Sequence, residues 1–305
     1  LLLEDLVGKD SGGEKARGLL EAAAQDGVRE ADYLIGVVHK RGLGTEVDLD
    51  AAERAFERAA EAGLAEAQND LAALLEARGR RADLAASVEW YTRAAEQQNA
   101  KAMQNLARVY LQGRGVRKDF ELGRKWALAA SETGSVEAME MLGAIYLEGL
   151  GVESDTTTAA RWYGEAAEAG SARAQLKRAV MAREGKGLEA GDGVYVDWLQ
   201  KAAAQGHGPA QTLLGHAYAE GTALDRDPQA ALEWYRRAAE QGDPAGQAAL
   251  GRALAAGEGA APDAEAGMEW VRKAAEQGDP LGQSLLAESY SAGVGVEMDP
   301  EESLK

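Results

Sequence analysis

AALEWYRRAAEQG, residues Ala230 to Gly242, decides how this chain is read. At 100° per residue Trp234, Tyr235 and the alanines three before and four after the tryptophan share one stripe, with charges behind them, so the segment is an amphipathic helix. Gly242 is the left-handed residue that ends it. Asp243 and Pro244 then supply the N-cap and first position of a second helix, which contains QAALGRALAAG and closes at Gly257. Two helices and two tight turns make one repeat.

The stretch is one copy of many. The six tryptophans of the chain are Trp90, Trp126, Trp162, Trp198, Trp234 and Trp270, each 36 residues after the last. Eight residues after each comes a turn position, at Gln98, Gly134, Gly170, Gly206, Gly242 and Gly278, and the series runs back to Gly63 and Gly27 with one residue missing before Gln98. Eight repeats follow, and repetition at this period means helix pairs that bury their apolar faces on their neighbours. Composition agrees: Ile and Phe occur twice each, while Ala, Leu, Glu, Gln and Arg fill the lines, so helix formers outweigh strand formers. The expected fold is all-α.

One segment raises a competing reading. YLQGRGVRKD, Tyr110 to Asp119, places Gly113 and Gly115 among Arg114, Arg117 and Lys118, as a phosphate loop would. The same place returns as YLEGLGVESD at Tyr146 to Asp155 without the cations, and Gly-x-Gly recurs at 42/44, 113/115, 149/151, 185/187, 257/259 and 293/295. These glycines follow helices, never strands, and lack the third glycine of a dinucleotide loop. They are joints between stacked hairpins.

The pattern A-x-x-W-Y-x-x-A-A-x-x-G, then A-x-x-x-L-G-x-x-Y-x-x-G-x-G-V-x-x-D, resembles the Sel1-like repeat, a relative of the tetratricopeptide repeat. It is strongest in Ala230 to Gly242 and Leu84 to Asp155, and weakest at the start, where Leu19 and Ala55 hold the Trp position. The resemblance implies a right-handed superhelix of antiparallel helix pairs acting as an adaptor or scaffold in protein complexes, often in bacterial envelope, signalling or host-contact settings. Relatives with a disulfide in each repeat are a different subgroup, since this chain has no cysteine.

Residues 1–13 are expected to be the remnant of a preceding repeat or a linker, 14–299 a single solenoid of eight repeats, and 300–305 the start of a ninth. Neither end shows a polar capping helix, so the chain is expected to be part of a longer protein or to self-associate through its ends. Localisation stays open: Leu1 is not Met, and Leu1 to Leu3 is too short for a signal core. The resemblance favours the periplasm or another envelope location.

Stacked helix pairs present a long concave surface, which the first helix of each pair lines. Taking the tryptophan helix as the first, the residue before each tryptophan lies opposite the core stripe: Glu89, Lys125, Arg161, Asp197, Glu233 and Glu269. A second row, six after each tryptophan, is Glu96, Glu132, Glu168, Ala204, Glu240 and Glu276. These rows are the expected partner-binding lining, suited to a protein or peptide with basic segments. A second candidate is a basic edge on successive joints, from His39, Lys40 and Arg41 through Arg78, Arg80 and Arg81 to Arg114, Arg117 and Lys118. The tryptophans and Tyr110, Tyr146, Tyr218 and Tyr290 are expected in packing, because one slot recurs in every repeat.

Composition limits the alternatives. With 33 Lys and Arg against 51 Asp and Glu the net charge is −18, which argues against a nucleic-acid surface. Residues 257–305 hold eleven acids against Arg272, Lys273 and Lys305, nearly half of that excess. No apolar run approaches the roughly 18 residues of a membrane span. His39, His207 and His216 have no partners at ligand spacing, and no nucleophile elbow, Walker loop or thiol occurs. No cofactor or metal is expected, and the reading is a non-enzymatic scaffold; the alternative is a targeting or regulatory arm of a larger envelope enzyme or signalling regulator.

Overall fold

The computed structural model describes residues 11–189 and 191–293, with side chains from Arg17 onward. The described residues form sixteen α-helices and no strand, and they divide at Glu153 and Ser154 into two compact units. The first unit holds α1 (Ser11–Gln25), α2 (Arg29–Arg41), α3 (Leu49–Glu61), α4 (Ala65–Arg78), α5 (Arg81–Glu96), α6 (Ala100–Gln112), α7 (Phe120–Glu132) and α8 (Val136–Glu148). The second holds α9 (Thr156–Glu168), α10 (Ala172–Glu184), α11 (Asp192–Ala204), α12 (Gly208–Glu220), α13 (Pro228–Glu240), α14 (Pro244–Ala256), α15 (Ala264–Glu276) and α16 (Pro280–Ala292). Each unit is an α-solenoid of stacked antiparallel helices. Helix α1 begins three residues before the expected boundary at Glu14; residues 1–10 of the expected remnant, Gly295 and the expected ninth repeat at 300–305 lie outside the described residues.

Two connections alternate. A three-residue turn follows each full odd helix, as at Thr133, Gly134 and Ser135, where Gly134 has φ +85° and the Ser135 side chain accepts from Ala138 N–H. A seven-residue joint follows most even helices, as from Gly113 to Asp119. There the Gly113 and Arg114 N–H groups both donate to the Val109 carbonyl, and Asp119 caps α7 by accepting from Leu122 N–H. Left-handed glycine and aspartate cap thus satisfy the backbone at both helix ends. The joint between α4 and α5 is different: it contains only Gly79 and Arg80, and α5 extends to 16 residues. This is the place of the missing residue.

The core is built from alanines and a few larger residues on each helix. Positions one and four after each tryptophan are buried throughout: Tyr91, Tyr163, Leu199, Tyr235 and others at the first, and an unbroken series of alanines from Ala94 to Ala274 at the second. On even helices Leu106, Leu142, Leu214 and Leu250 are buried opposite them. The tryptophans sit at the flank of this stripe, half-buried. Trp90 and Trp126 pack on the cluster around Leu106, Trp234 on that around Leu214 and Trp270 on that around Leu250. They are inter-repeat packing residues with one edge left toward solvent.

A glutamine ladder crosses the repeat junctions. Gln247 donates its side-chain amide to the Ala239 carbonyl and accepts from the Gln277 amide of the following odd helix at 2.8 Å. Gln211 with Gln241, Gln175 with Gln205, and Gln68 with Gln97 repeat the arrangement. Each rung satisfies a buried amide and a helix-end carbonyl together. Met103 and Thr133 hold the corresponding places in the first unit, and that junction has no rung.

Candidate partner-binding site

The expected rows are exposed. Glu89 and Lys125 stand on α5 and α7, and Arg161, Asp197, Glu233 and Glu269 on α9, α11, α13 and α15. The second row closes the same helices, so Glu96, Glu132, Glu168, Glu240 and Glu276 lie at helix C-termini, where a negative charge opposes the helix dipole. Lys125 and Glu132 border a hollow of about 800 Å³ along α7, with Leu122 and Leu128 in its wall.

The mixed signs of the first row have an internal cause. Arg93, Lys201, Arg237 and Lys273, three residues after their tryptophans, lie over the indoles of Trp90, Trp198, Trp234 and Trp270 at 4.1 to 4.6 Å from the ring centres. Where that position is Ala129 or Glu165, the cation comes from the residue before the tryptophan: Lys125 lies 5.7 Å from Trp126 and Arg161 5.2 Å from Trp162. Every indole is therefore covered by one cation, each contact contributing about 0.5–1 kcal/mol at an exposed site. The spacing of three from each tryptophan held this signal in the sequence. It also places a cation one helical turn beyond Glu89, Asp197, Glu233 and Glu269, so the row is a mixed-charge face.

The basic edge is largely engaged. The Arg78 guanidinium binds Glu53 and approaches Asp83 at 3.4 Å, and Arg80 binds Asp83 at 2.6 Å. Arg114 approaches Glu76 at 3.4 Å, and Lys118 lies over the Phe120 ring at 5.6 Å. Because the second joint is shortened, Arg78 ends α4, Arg80 stands at the N-cap position of α5 without a side-chain cap bond and Arg81 opens the helix, while Arg114, Arg117 and Lys118 lie on a full loop. Lys40 reaches toward Asp70 instead. Under these cations is a buried cluster in which Arg108 binds Glu76 through two nitrogens at 2.6 and 2.7 Å while the Tyr91 hydroxyl donates to the same carboxylate at 3.0 Å. Burial alone raises the Glu76 carboxyl, but Arg108, Tyr91 and Arg114 outweigh it and hold it below the ordinary range.

A groove that the sequence did not single out crosses the even helices of the first unit. Tyr33 and Lys40 of α2, Asn69 and Asp70 of α4, and Lys101 of α6 line a volume of about 590 Å³. Ala100 and Lys101 also border a second hollow of about 440 Å³ that continues over Gln104 and Asn105 to Ser135 and Glu137 at the start of α8. Its polar groups are already oriented. Asn105 donates to Asn69 at 3.0 Å, Asn69 to Asp70 at 3.3 Å, and the Tyr33 hydroxyl to the other Asp70 oxygen at 3.3 Å. Ser135 donates to Gln104 at 3.1 Å. Burial, with the Asp70 charge and hydrogen bond next, pushes the Tyr33 phenol up to about 12, so it remains a donor at neutral pH. Four successive even helices thus present amides, a phenol and both signs of charge along one track.

Among the described residues no group of three or more His, Asp or Glu is placed to hold a metal ion. His216 Nδ1 and the Tyr235 hydroxyl share a hydrogen bond of 2.8 Å inside the second unit, and burial followed by the Arg252 charge lowers the proton affinity of His216. Burial also lowers His207, against the pull of Asp243. No helix among the described residues is long and apolar enough to cross a membrane.

Among solved structures the chain is similar to c5321, a protective antigen present in uropathogenic Escherichia coli strains and displaying an SLR fold. The two are 31% identical, with a TM-score of 0.73, over 94% of this chain and 70% of that one. A Sel1 repeat protein from Oxalobacter formigenes is 28% identical, with a TM-score of 0.70, over 78% of this chain and 94% of that one. No curated protein matches. The Sel1 repeat itself matches at residues 29–64, 65–99, 100–135, 136–171, 196–207, 208–243, 244–279 and 280–305. Seven of the eight matched segments begin at even helices, and the short one at 196–207 lies at the end of a repeat on α11, which makes the tryptophan helix the second of each pair. Residues 172–195, where Arg178 stands in the leucine slot, fall outside the match. Tryptophan period, paired helices and repeat match coincide along the sequence, and the chain belongs to the Sel1 repeat family.

Proposed function

We propose that this chain is a non-enzymatic scaffold that holds an extended protein segment along the even-helix groove of its first unit. The Sel1 repeat fold commonly mediates protein–protein interaction, and its scaffold proteins are generally non-catalytic. The observation that carries the reading is the pair of adjoining hollows from Tyr33 to Glu137, where Asn69 holds the partly exposed Asn105 side chain, an amide of the donor and acceptor type that pairs with a peptide bond. Lys40 and Lys101 against Glu66, Asp70 and Glu137 favour a segment carrying both charges. With −18 overall, a partner with basic segments fits better than a nucleic acid. The tryptophan-helix rows, proposed as the concave lining from the sequence, are a second surface for the same partner.

The test is a pull-down followed by calorimetry with the recovered partner. Asn105→Ala with Lys101→Glu is expected to weaken binding at least tenfold, and Glu233→Lys with Glu269→Lys to weaken it less. Loss only in the second pair moves the partner to the rows. Unchanged affinity in both pairs overturns the proposal.

A further inference from the structure

The shortened joint leaves a notch on the first unit. In full joints the second glycine presses on the start of the preceding odd helix, at its first residue or, in the extended α5, at its fourth: a Cβ on Gly115 would lie 2.3 Å from the Leu84 carbonyl oxygen, and one on Gly151 2.6 Å from Phe120 Cβ. Gly187 and Gly259 meet the starts of α9 and α13 in the same way, at 2.0 and 2.2 Å. The residue covered in this manner at the start of α3 would be Leu49. Its loop is the one that was shortened, and a Cβ on Gly79 meets nothing within 4 Å. Leu49 is accordingly 53% exposed, whereas Leu84 and Phe120 are partly buried.

Val47, two residues earlier, is 60% exposed, at a position that Lys118, Arg226 and Pro262 hold in other joints. The two aliphatic side chains border a hollow of about 510 Å³ with Glu46, Asp48 and Asp50 around them. The cations of the short joint are committed first to other acids, Arg78 to Glu53 and Asp83 and Arg80 to Asp83, with Asp50 a weaker influence on Arg78, while His39 lines the same hollow. Arg54, one turn along α3, is the cation on the acidic side. An exposed aliphatic pair ringed by carboxylates is an anchor site for an apolar side chain accompanied by positive charge.

We propose that this notch docks a loop of a partner protein that presents an aliphatic side chain beside a lysine or arginine, filling the space that the chain's own joint occupies in the other repeats. The internal loop of the next full joint has this character, with Val116 between Arg114 and Arg117. The site is separate from the even-helix groove and stands without it.

A phage-displayed library of disulfide-closed heptapeptides, selected on the whole chain, tests the assignment. Enriched peptides are expected to pair an aliphatic residue with Lys or Arg. Their affinity, read by fluorescence anisotropy, should fall at least tenfold on Val47→Ser with Leu49→Ser. It should fall equally when five residues are inserted after Gly79 to restore a full joint, a variant that keeps both aliphatic side chains; circular dichroism confirms that each variant folds. Enrichment of acidic peptides, affinity indifferent to the Val47 and Leu49 substitutions, or no enrichment at all overturns the proposal. So does a concentration-dependent dimer in sedimentation that the serine variant abolishes, because a second copy would then be the occupant.

Discussion

In the second unit three consecutive junctions carry the same neutral rung, at Gln175 with Gln205, Gln211 with Gln241 and Gln247 with Gln277. In the first unit one rung survives, at Gln68 with Gln97, the Met103 and Thr133 junction has none, and ion pairs at other places link the helices: Arg58 to Asp32, Arg78 to Glu53, and Arg108 to Glu76. Regular repeats let one hydrogen-bond solution recur, because every junction presents the same carbonyl at the same distance. A shortened joint and a Met–Thr pair interrupt that regularity. The first unit then depends on interactions that salt, pH and the loss of a single partner affect more strongly.

The largest break in the comparison is expected at Glu76. Glu76→Gln leaves Arg108 without its carboxylate in a half-buried site and should cost the first unit about 3 kcal/mol, read as a lowered urea midpoint. Loss of amide-exchange protection should centre on α4 to α6. In the second unit Gln247→Leu removes one rung and should cost about 1–2 kcal/mol, with little dependence on salt. Equal costs for the two variants would erase the distinction.

Acid should separate the units by where their loss begins. His216 has its proton affinity lowered below the usual 6.5 by burial and by Arg252, against Glu220. The unfolded chain takes up that proton first, so stability present above about pH 6.5 falls as pH drops toward the folded value. Glu76 is held below its usual 4.5, so its contribution is complete above about pH 4.5 and is lost only as pH falls further. Hydrogen exchange followed from pH 7 to pH 4 should show α12 and α13 weakening before α4 and α6; the opposite order breaks the assignment. The smallest effect is shared. Gln98 and Ala223 hold left-handed φ of 62° and 63° where other repeats place glycine. Changing either to glycine should raise stability by about 0.5 kcal/mol, read as a small rise in Tm.

Much of the fold was legible because its signals are local. The tryptophan period, the left-handed glycines and the aspartate caps act within a few residues, so the repeat and its two turns follow from the chain. The charges of the candidate surfaces were less legible. Arg161 reads as free surface until the indole of Trp162 is placed beneath it, and Arg78 until Glu53 is brought against it from 25 residues away. Asn69 and Asn105 lie 36 residues apart and look like unremarkable helix polars. Only stacking sets one amide against the other.

The sequence alone determined the helix pairs, their number among the matched repeats and their family, since each rests on short-range sterics repeated at a fixed interval. Tertiary structure decided which charges are used internally, which polar side chains share a groove, and that Leu49 is left uncovered. Those outcomes depend on contacts between neighbouring repeats, whose geometry a one-residue change in spacing alters without changing the local pattern on either side.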